Sequence, residues 1–394
     1  MSLLTQASLI LTPTAYKTSK LYSIVPSSGN GDMTVVRATT ATRVNSSGLF
    51  ESVAINVPRL NYDANGSASI LLEPQRTNFL LRSQELDNST IWTNISVGTG
   101  VNPIRTANTT ISPDGTLTAD TLVFDRGIGN TSSDNSTIQQ SITIATTGTY
   151  YFYVYLKATT SGDIGKQLFI RCGNTGNLQA ITLTSTWLKF ETTASVNSGS
   201  NSFQIGNRGT FSTSNSVSAD IWGVQLEQGA YSTSYIPTTT TALTRNLDAL
   251  SRSNIYTNEL ITDAGGTWFV ELNNNFALTR DTGGTFQIGD LLGNNISIRT
   301  VAANSRLAII KNILNIQTVL YTTLTNTVKI AVDWNGATAD VFVNGVKVVT
   351  ATAFTTTNMN SLTTNIADVP KYIKSIMLFP TPLTDEEMIA LTTL

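Results

Sequence analysis

From about residue 86 onward, apolar and polar residues alternate with a period of two in short runs separated by turn formers. That is the pattern of strands burying one face. Up to residue 240 it predicts strands over 121–124, 137–144, 150–157, 167–172, 178–183, 187–192, 202–205 and 218–226. Pro113-Asp-Gly, Gly148, Ser161-Gly-Asp, Gly173-Asn-Thr-Gly and Asn197-Ser-Gly divide them. Many short strands with almost no helical period argue a two-sheet sandwich.

Residues 250–394 repeat the pattern, with strands over 267–272, 285–288, 296–301, 305–310, 317–322, 327–334 and 339–349. Inside the last, Asn344-Gly345 is the two-residue hairpin signal, because both turn positions take positive φ. The chain then changes period. Thr384 and Glu387 have capping-box spacing, and Asp385 and Glu386 suit a helix N-terminus, so a short helix follows. The expected class is all-β: an extended N-terminal segment followed by two antiparallel β-sandwich (jelly-roll) domains, with a short C-terminal helix.

The stretch 219–248 lies between the two sandwiches. Its strand places Trp222, Val224 and Leu226 on one face and Ile221, Gly223, Gln225 and Glu227 on the other. The uniformly apolar set predicts a core face with Trp222 inside it. Pro237 and the Thr-rich run around it read as a tether, so 250–394 is expected to fold alone. Residues 1–85 hold strand-like pieces over 20–25, 33–38 and 69–72 between prolines, with no sustained period. An irregular segment this long packs against something else. Either partner chains cover Leu49, Phe50, Leu60, Tyr62 and Leu71, or the segment is coil stapled to its own β-domain. The expected divisions are 1–85, 86–240 and 250–394.

Composition removes whole classes of chemistry. Of 394 residues, 40% are apolar and only 13% charged, and Thr, Ser and Asn fill the deficit, which favours pleated surfaces and polar loops. The net charge is −2, with Lys and Arg scattered, so no electrostatic footprint for nucleic acid or an acidic membrane exists. There is no histidine, which excludes Ser-His-Asp and Cys-His catalysis and His-ligated metals. The single cysteine, Cys172, allows no intrachain disulfide and reads as a small residue in or near a strand. No run approaches the ~20 apolar residues of a membrane span, and the first residues lack the basic region of a signal peptide. Asp114, Asp120 and Asp125 fall at strand starts, where a structural Ca²⁺ is conceivable, but turn carboxylates are mostly solvated; no metal and no cofactor is expected. The acidic residues form no recognisable glycosidase pair, and no repeat marks a β-helix depolymerase. No catalytic residues are assigned, and the chain reads as a non-enzyme.

Several ordered motifs carry a resemblance. They are Ala15-Tyr-Lys-Thr-Ser-Lys-Leu-Tyr-Ser-Ile-Val-Pro26, Gly31-Asp32, the run from Arg37 to Glu51, Val57-Pro-Arg-Leu-Asn-Tyr62, and Leu71-Leu-Glu-Pro-Gln-Arg-Thr-Asn-Phe-Leu80. Together they resemble the N-terminal region of tailed-phage virion proteins of the head-spike, fibre or tail kind. Trp222 to Gly229, Thr233 to Thr238, and Arg245 with Asp248 resemble the closing segment of carbohydrate-binding-module-like jelly rolls in such proteins. The last 145 or so residues, with Trp268-Phe269 near their start, resemble a concanavalin A-like (laminin-G-type) jelly roll.

The resemblance implies a structural protein on the virion surface, a head fibre or spike joined as a homotrimer through residues 1–85. Its partners would be itself, other capsid or tail proteins and host-surface or environmental glycans. Two alternatives stand beside it: a tail or baseplate fibre acting as receptor-binding protein, and a glycan-degrading tail spike. One candidate surface is legible in Tyr150-Tyr-Phe-Tyr-Val-Tyr-Leu156. Tyr150, Phe152, Val154 and Leu156 form the more apolar row and should enter the core. Tyr151, Tyr153 and Tyr155 form the other row, about 7 Å apart, as a carbohydrate-stacking ridge or a packing surface for a subunit or the tether.

Overall fold

The computed structural model describes residues 3–211, 214–229, 231–262, 264–273, 284–289, 295–301, 306–311, 314–320, 327–353, 359–366 and 371–394. The chain is nearly all β and divides into two compact units. One comprises residues 76–245. The other joins residues 1–75 to residues 246–394, so the first unit is an insertion in the second.

The inserted unit is an antiparallel sandwich of two five-stranded sheets. One runs Thr93–Val97, Asn135–Ile144, Gly199–Arg208, Gln167–Arg171, Leu178–Thr182; the other runs Ile104–Thr110, Ala119–Asp125, Ser216–Gln228, Gly148–Ala158, Leu188–Val196. Their inner faces share one apolar core. Phe152 and Val154 from one sheet meet Phe203 and Ile205 from the other, with the Phe152 and Phe203 rings 6.1 Å apart. Burial excludes water from these side chains, at roughly 25 cal/mol per Å² of apolar surface. Tyr150, Phe152, Val154 and Leu156 all enter this core, as their alternation predicts. Strands Thr93–Val97 and Ile104–Thr110 were not legible in the pattern, because nearly all their residues stay exposed or half-exposed.

Trp222 departs from expectation. The strands Ser216–Gln228 and Gly148–Ala158 shift register between Tyr153 and Tyr155, where Tyr153 pairs with Gln225 but Tyr155 pairs with Trp222. Gly223, at φ +67°, absorbs the extra residue, as a bulge requires. The bulge reverses the face phase, so Ile221 shares the core with Val224 and Leu226. Trp222 turns instead to the outer face with Gln225 and Glu227.

In the second unit an eight-stranded sheet packs on a nine-stranded one, with Trp268, Val270, Ile376 and Leu378 against Met33, Val35, Leu250 and Leu362. The hairpin at Asn344-Gly345 forms with both residues at positive φ. Helix Asp385–Thr392 carries the capping box of Thr384 and Glu387 and covers Phe269, Ala331 and Phe342 on the outer side.

Residues 1–75 are woven into these sheets. Leu9–Leu11 pairs with Lys371–Phe379, Ala68–Leu72 pairs with the same strand, and Met33–Val36 pairs with Ala249–Ser253. The separate segment expected at 1–85 is therefore replaced by strands of the C-terminal unit. Leu60 and Leu71 are buried by their own chain, Phe50 and Tyr62 are half-buried, and Leu49 stays exposed. The apolar residues that suggested partner chains largely find cover intramolecularly.

A buried ion cluster ties this weave together. Asp248 accepts from Arg37 Nη1 at 2.8 Å through Oδ1, and through Oδ2 from Arg59 Nη2 and from the Glu73 backbone N–H at 2.9 Å. Arg59 Nη1 also donates to Glu73 at 2.7 Å. Arg37 spends its remaining donors on carbonyls of Thr39, Ala54 and Val57. Burial alone would lower the Arg59 pKa, but the two carboxylates outweigh it and raise it. Two cations balance two anions, so no net charge is left buried.

The core places a sharp demand on fragments. Residues 76–245 contain every residue of their own apolar core and should unfold cooperatively in urea when expressed alone. Residues 250–394 lack Leu9, Leu11, Leu21, Met33, Val35, Leu60, Ile70 and Leu72 of theirs and should show no cooperative transition. A cooperative melt of that shorter piece would contradict the weave.

Candidate functional site

The tyrosine row lies on the outer face of its sheet, but the chain covers it. Tyr153 is 0% exposed, its hydroxyl donates to the Thr233 carbonyl at 3.2 Å, and Lys189 Nζ sits 5.2 Å above its ring. Tyr155 and Tyr151 are half-buried. Tyr155 packs edge-on against Tyr153 and Trp222, and Trp222 packs on Tyr235 at 4.7 Å. The row is thus a seat for residues 231–238, the tether-packing alternative. A sugar has no access to Tyr153.

Buried polar side chains clamp the closing segment onto that seat. Asn78 donates to the carbonyls of Val224 and Ile236 and accepts from the N–H groups of Leu80 and Leu226, so its amide is fully used. Gln225 accepts from Ile236 N–H at 2.7 Å. Glu227 accepts from the N–H and hydroxyl of Thr233, each at 2.6 Å. Burial raises the Glu227 pKa, while the Thr233 bonds and the charges of Arg245 and Arg76 oppose it. Arg245 donates to Ser234 Oγ at 3.0 Å.

Beyond this clamp, Thr239 and Thr240 form one wall of an open cleft of about 270 Å³. Leu81, Arg82, Asn88, Thr90, Ile91, Thr239 and Thr240 line it. The opposite wall is the loop 81–92, fixed at many points. Gln140 grips both the N–H and the carbonyl of Leu81, and Thr239 O accepts from Arg82 N–H at 2.7 Å. The indole N–H of the buried Trp92 donates to Arg82 O at 3.3 Å. Arg105 donates to the carbonyls of Leu86 and Trp92. Asp120 accepts from the N–H groups of Asp87 and Asn108, each at 3.0 Å. Arg82 itself holds φ +51°, a backbone state uncommon for a side chain with a Cβ. The cleft is therefore preorganised: a hydroxyl- and amide-bearing rim, a patch of Leu81 and Ile91, and one cation. Such a mixture suits a small polar ligand with an apolar face.

None of these seven residues was singled out from sequence, since Thr and Asn abound in the chain and the loop has no period. The other sequence candidates are dispersed. Asp114 is held in its turn by Thr116 N–H, Asp125 accepts from Gly127 N–H, and Asp120 serves the loop. Among the described residues no cluster of three or more acidic or thiol groups is suited to a metal. Cys172 is buried, which pushes its thiol up to about 12. Trp92, Trp222, Trp268 and Trp334 are buried. Trp187 is half-exposed, with its indole N–H on the Ile111 carbonyl and Lys157 Nζ 5.3 Å from its ring.

No protein-family model and no curated protein sequence matches the chain. Among solved structures it is similar to domain 4 of an extracellular arabinanase from Geobacillus stearothermophilus in complex with arabinotriose, at 15% identity and TM-score 0.31, over 37% of this chain and 73% of that one. It is similar to the N-terminal CBM22 tandem domain of a Paenibacillus barcinonensis protein, at 11% identity and TM-score 0.25, over 80% of this chain and 99% of that one. It is also similar to the enzymatically active domain of a tailspike protein of bacteriophage CBA120, at 14% identity and TM-score 0.27, over 40% of this chain and only 21% of that one. All three TM-scores fall below 0.5, and none of these likenesses assigns a function to this chain.

The Asp120 anchor gives the loop a pH signature. Burial raises its carboxyl to about 6, against the backbone bonds that favour the charged form. The folded state then holds a proton that the unfolded chain releases near pH ~4, so stability from this group is present below pH ~4 and is lost as pH rises through 6. In urea unfolding of residues 76–245, the parent minus Asp120→Asn difference should fall by up to about 3 kcal/mol between pH 4 and 7. A difference that rises with pH would contradict the assignment.

Proposed function

We propose that this chain is a non-catalytic structural protein on the surface of a bacteriophage particle, a homotrimeric head fibre or spike whose inserted sandwich binds glycans. The glycan reading is carried by the preorganised cleft between loop 81–92 and residues 239–240. Sugars offer paired hydroxyls and an apolar ring face, and the cleft offers Asn88, Thr90, Thr239 and Thr240 beside Leu81 and Ile91. Its lining contains no carboxylate, whereas glycoside cleavage in most families uses two. The chain also contains no histidine to act in their place.

The virion reading is supported by where the resembling motifs fall. Arg37, Arg59, Glu73 and Asp248 come from four separate stretches and meet in one ion cluster. Asn78, Gln225, Glu227, Thr233 and Arg245 form the clamp. Motif residues that build a frame agree with a scaffold displaying a module. Assembly as a trimer and a place on the head rest on the resemblance alone.

The full chain should bind a subset of a mixed bacterial-glycan array. A double Asn88→Ala, Thr239→Ala variant that keeps the parent circular dichroism spectrum should lose about tenfold or more in affinity, since each buried hydrogen bond contributes ~1 kcal/mol. Array binding that survives the double variant would remove the cleft from the account.

A further inference from the structure

The charge inside the cleft narrows the ligand further, on the premise that the cleft is the glycan site. Arg82 is the one ionised residue among those lining it. Its Nη1 meets both carboxylate oxygens of Glu85, at 3.0 and 2.8 Å. That contact uses one nitrogen of the guanidinium. Nε and Nη2 engage no acceptor among the described residues, and together they form the fork that receives a carboxylate through two parallel N–H donors. The Arg82 side chain is 30% exposed and that of Glu85 44%, so this ion pair is solvent-screened and holds the guanidinium only weakly.

The backbone beneath is, by contrast, rigid. Arg82 N–H bonds to Thr239, and Arg82 O takes bonds from Trp92 and from Glu85 N–H. These contacts hold the residue at positive φ, in the lining of the cleft. An αL backbone is costly for most residues and persists where its surroundings over-determine it. A neutral sugar would need no cation there. A ring bearing a carboxylate would match the fork while its hydroxyls met Asn88, Thr90, Thr239 and Thr240.

We propose that the cleft is a subsite for a carboxylate-bearing sugar, a uronic or sialic-type acid, with Arg82 as the residue that selects the acid. Glu85 acts as an internal competitor for the guanidinium, so removing its charge should not weaken binding.

NMR titration of the full chain with methyl β-D-glucuronide and methyl β-D-glucoside tests this. The acid should bind about tenfold or more tightly than the neutral glycoside, the margin of one charge-assisted bidentate contact. Arg82→Asn, which tolerates positive φ, and Arg82→Gln should each abolish that margin, Arg82→Lys should not restore it, and Glu85→Gln should keep or widen it. Equal binding of the two glycosides, or an acid preference that survives Arg82→Asn, would overturn the inference. If that equal binding is lost in the Asn88→Ala, Thr239→Ala variant, the glycan cleft stands and only the selection of acid falls. Arg82-dependent binding of inorganic sulfate as tight as that of the glucuronide would reveal a bare anion site and also overturn it.

Discussion

The carboxylate of Asp248 is the point on which the larger unit depends. It is buried and meets two buried guanidinium groups and a backbone N–H. Arg37, Arg59 and Glu73 lie far from Asp248 in sequence, yet without Asp248 both guanidinium groups lose a carboxylate and the Glu73 N–H loses its acceptor. Asp248 N–H in turn donates to the Glu73 carbonyl at 2.9 Å, so the points where the chain leaves and re-enters the unit are joined by backbone as well as by charge. An ion cluster of this kind adds little net stability compared with a well-packed apolar core, but it penalises every arrangement in which one partner is missing. That penalty specifies how residues 1–75 thread the sheets of residues 246–394.

The inserted unit uses buried amide and carboxylate side chains to the same end. Asn78, Gln225 and Glu227 bind the backbone of residues 233–236, and the Gly223 bulge turns Trp222 outward to meet Tyr235. The closing segment consequently lies across the outer face of one sheet. That face, which an unadorned sandwich would leave open, is lost as a ligand surface. What the segment provides instead is a wall: Thr239 and Thr240 stand opposite a loop pinned by Gln140, Arg105, Asp120 and Trp92. Function and fold meet there, because the bonds that fix the loop also fix the geometry of the cleft.

Much of the architecture was legible in the sequence. Strands such as Gly148–Ala158 and Thr327–Trp334 alternate cleanly because one face meets a core, and Asn344-Gly345 and Thr384 with Glu387 act through local backbone chemistry alone. The rest depended on long-range partners. The side of the sheet taken by Trp222 turned on one register shift at Gly223, which reverses every residue on one side of it. The allegiance of residues 1–75 turned on strand pairing with residues about 300 to 370 positions away, which no local period encodes. The division expected near residue 85 lies at Gln75 for the same reason. The Tyr153 row was read correctly as facing away from the core, but what covers it comes from 80 residues further on. The cleft was invisible because its residues are ordinary Thr and Asn until the loop is fixed.

The Arg and Asp residues Arg37, Arg59, Arg245 and Asp248 of the resembling motifs act as buried structural ties, each within its own unit. The most direct measurement is urea unfolding of the full chain with Asp248→Ala, resolving the two units by separate tryptophan probes. Removing this carboxylate leaves two buried guanidinium groups without their shared partner, so the unit of residues 1–75 and 246–394 should lose about 3–5 kcal/mol. The transition of residues 76–245 should stay where it is in the parent. An unchanged stability of the unit of residues 1–75 and 246–394 would contradict the account, because the cluster would then be a passenger in the fold.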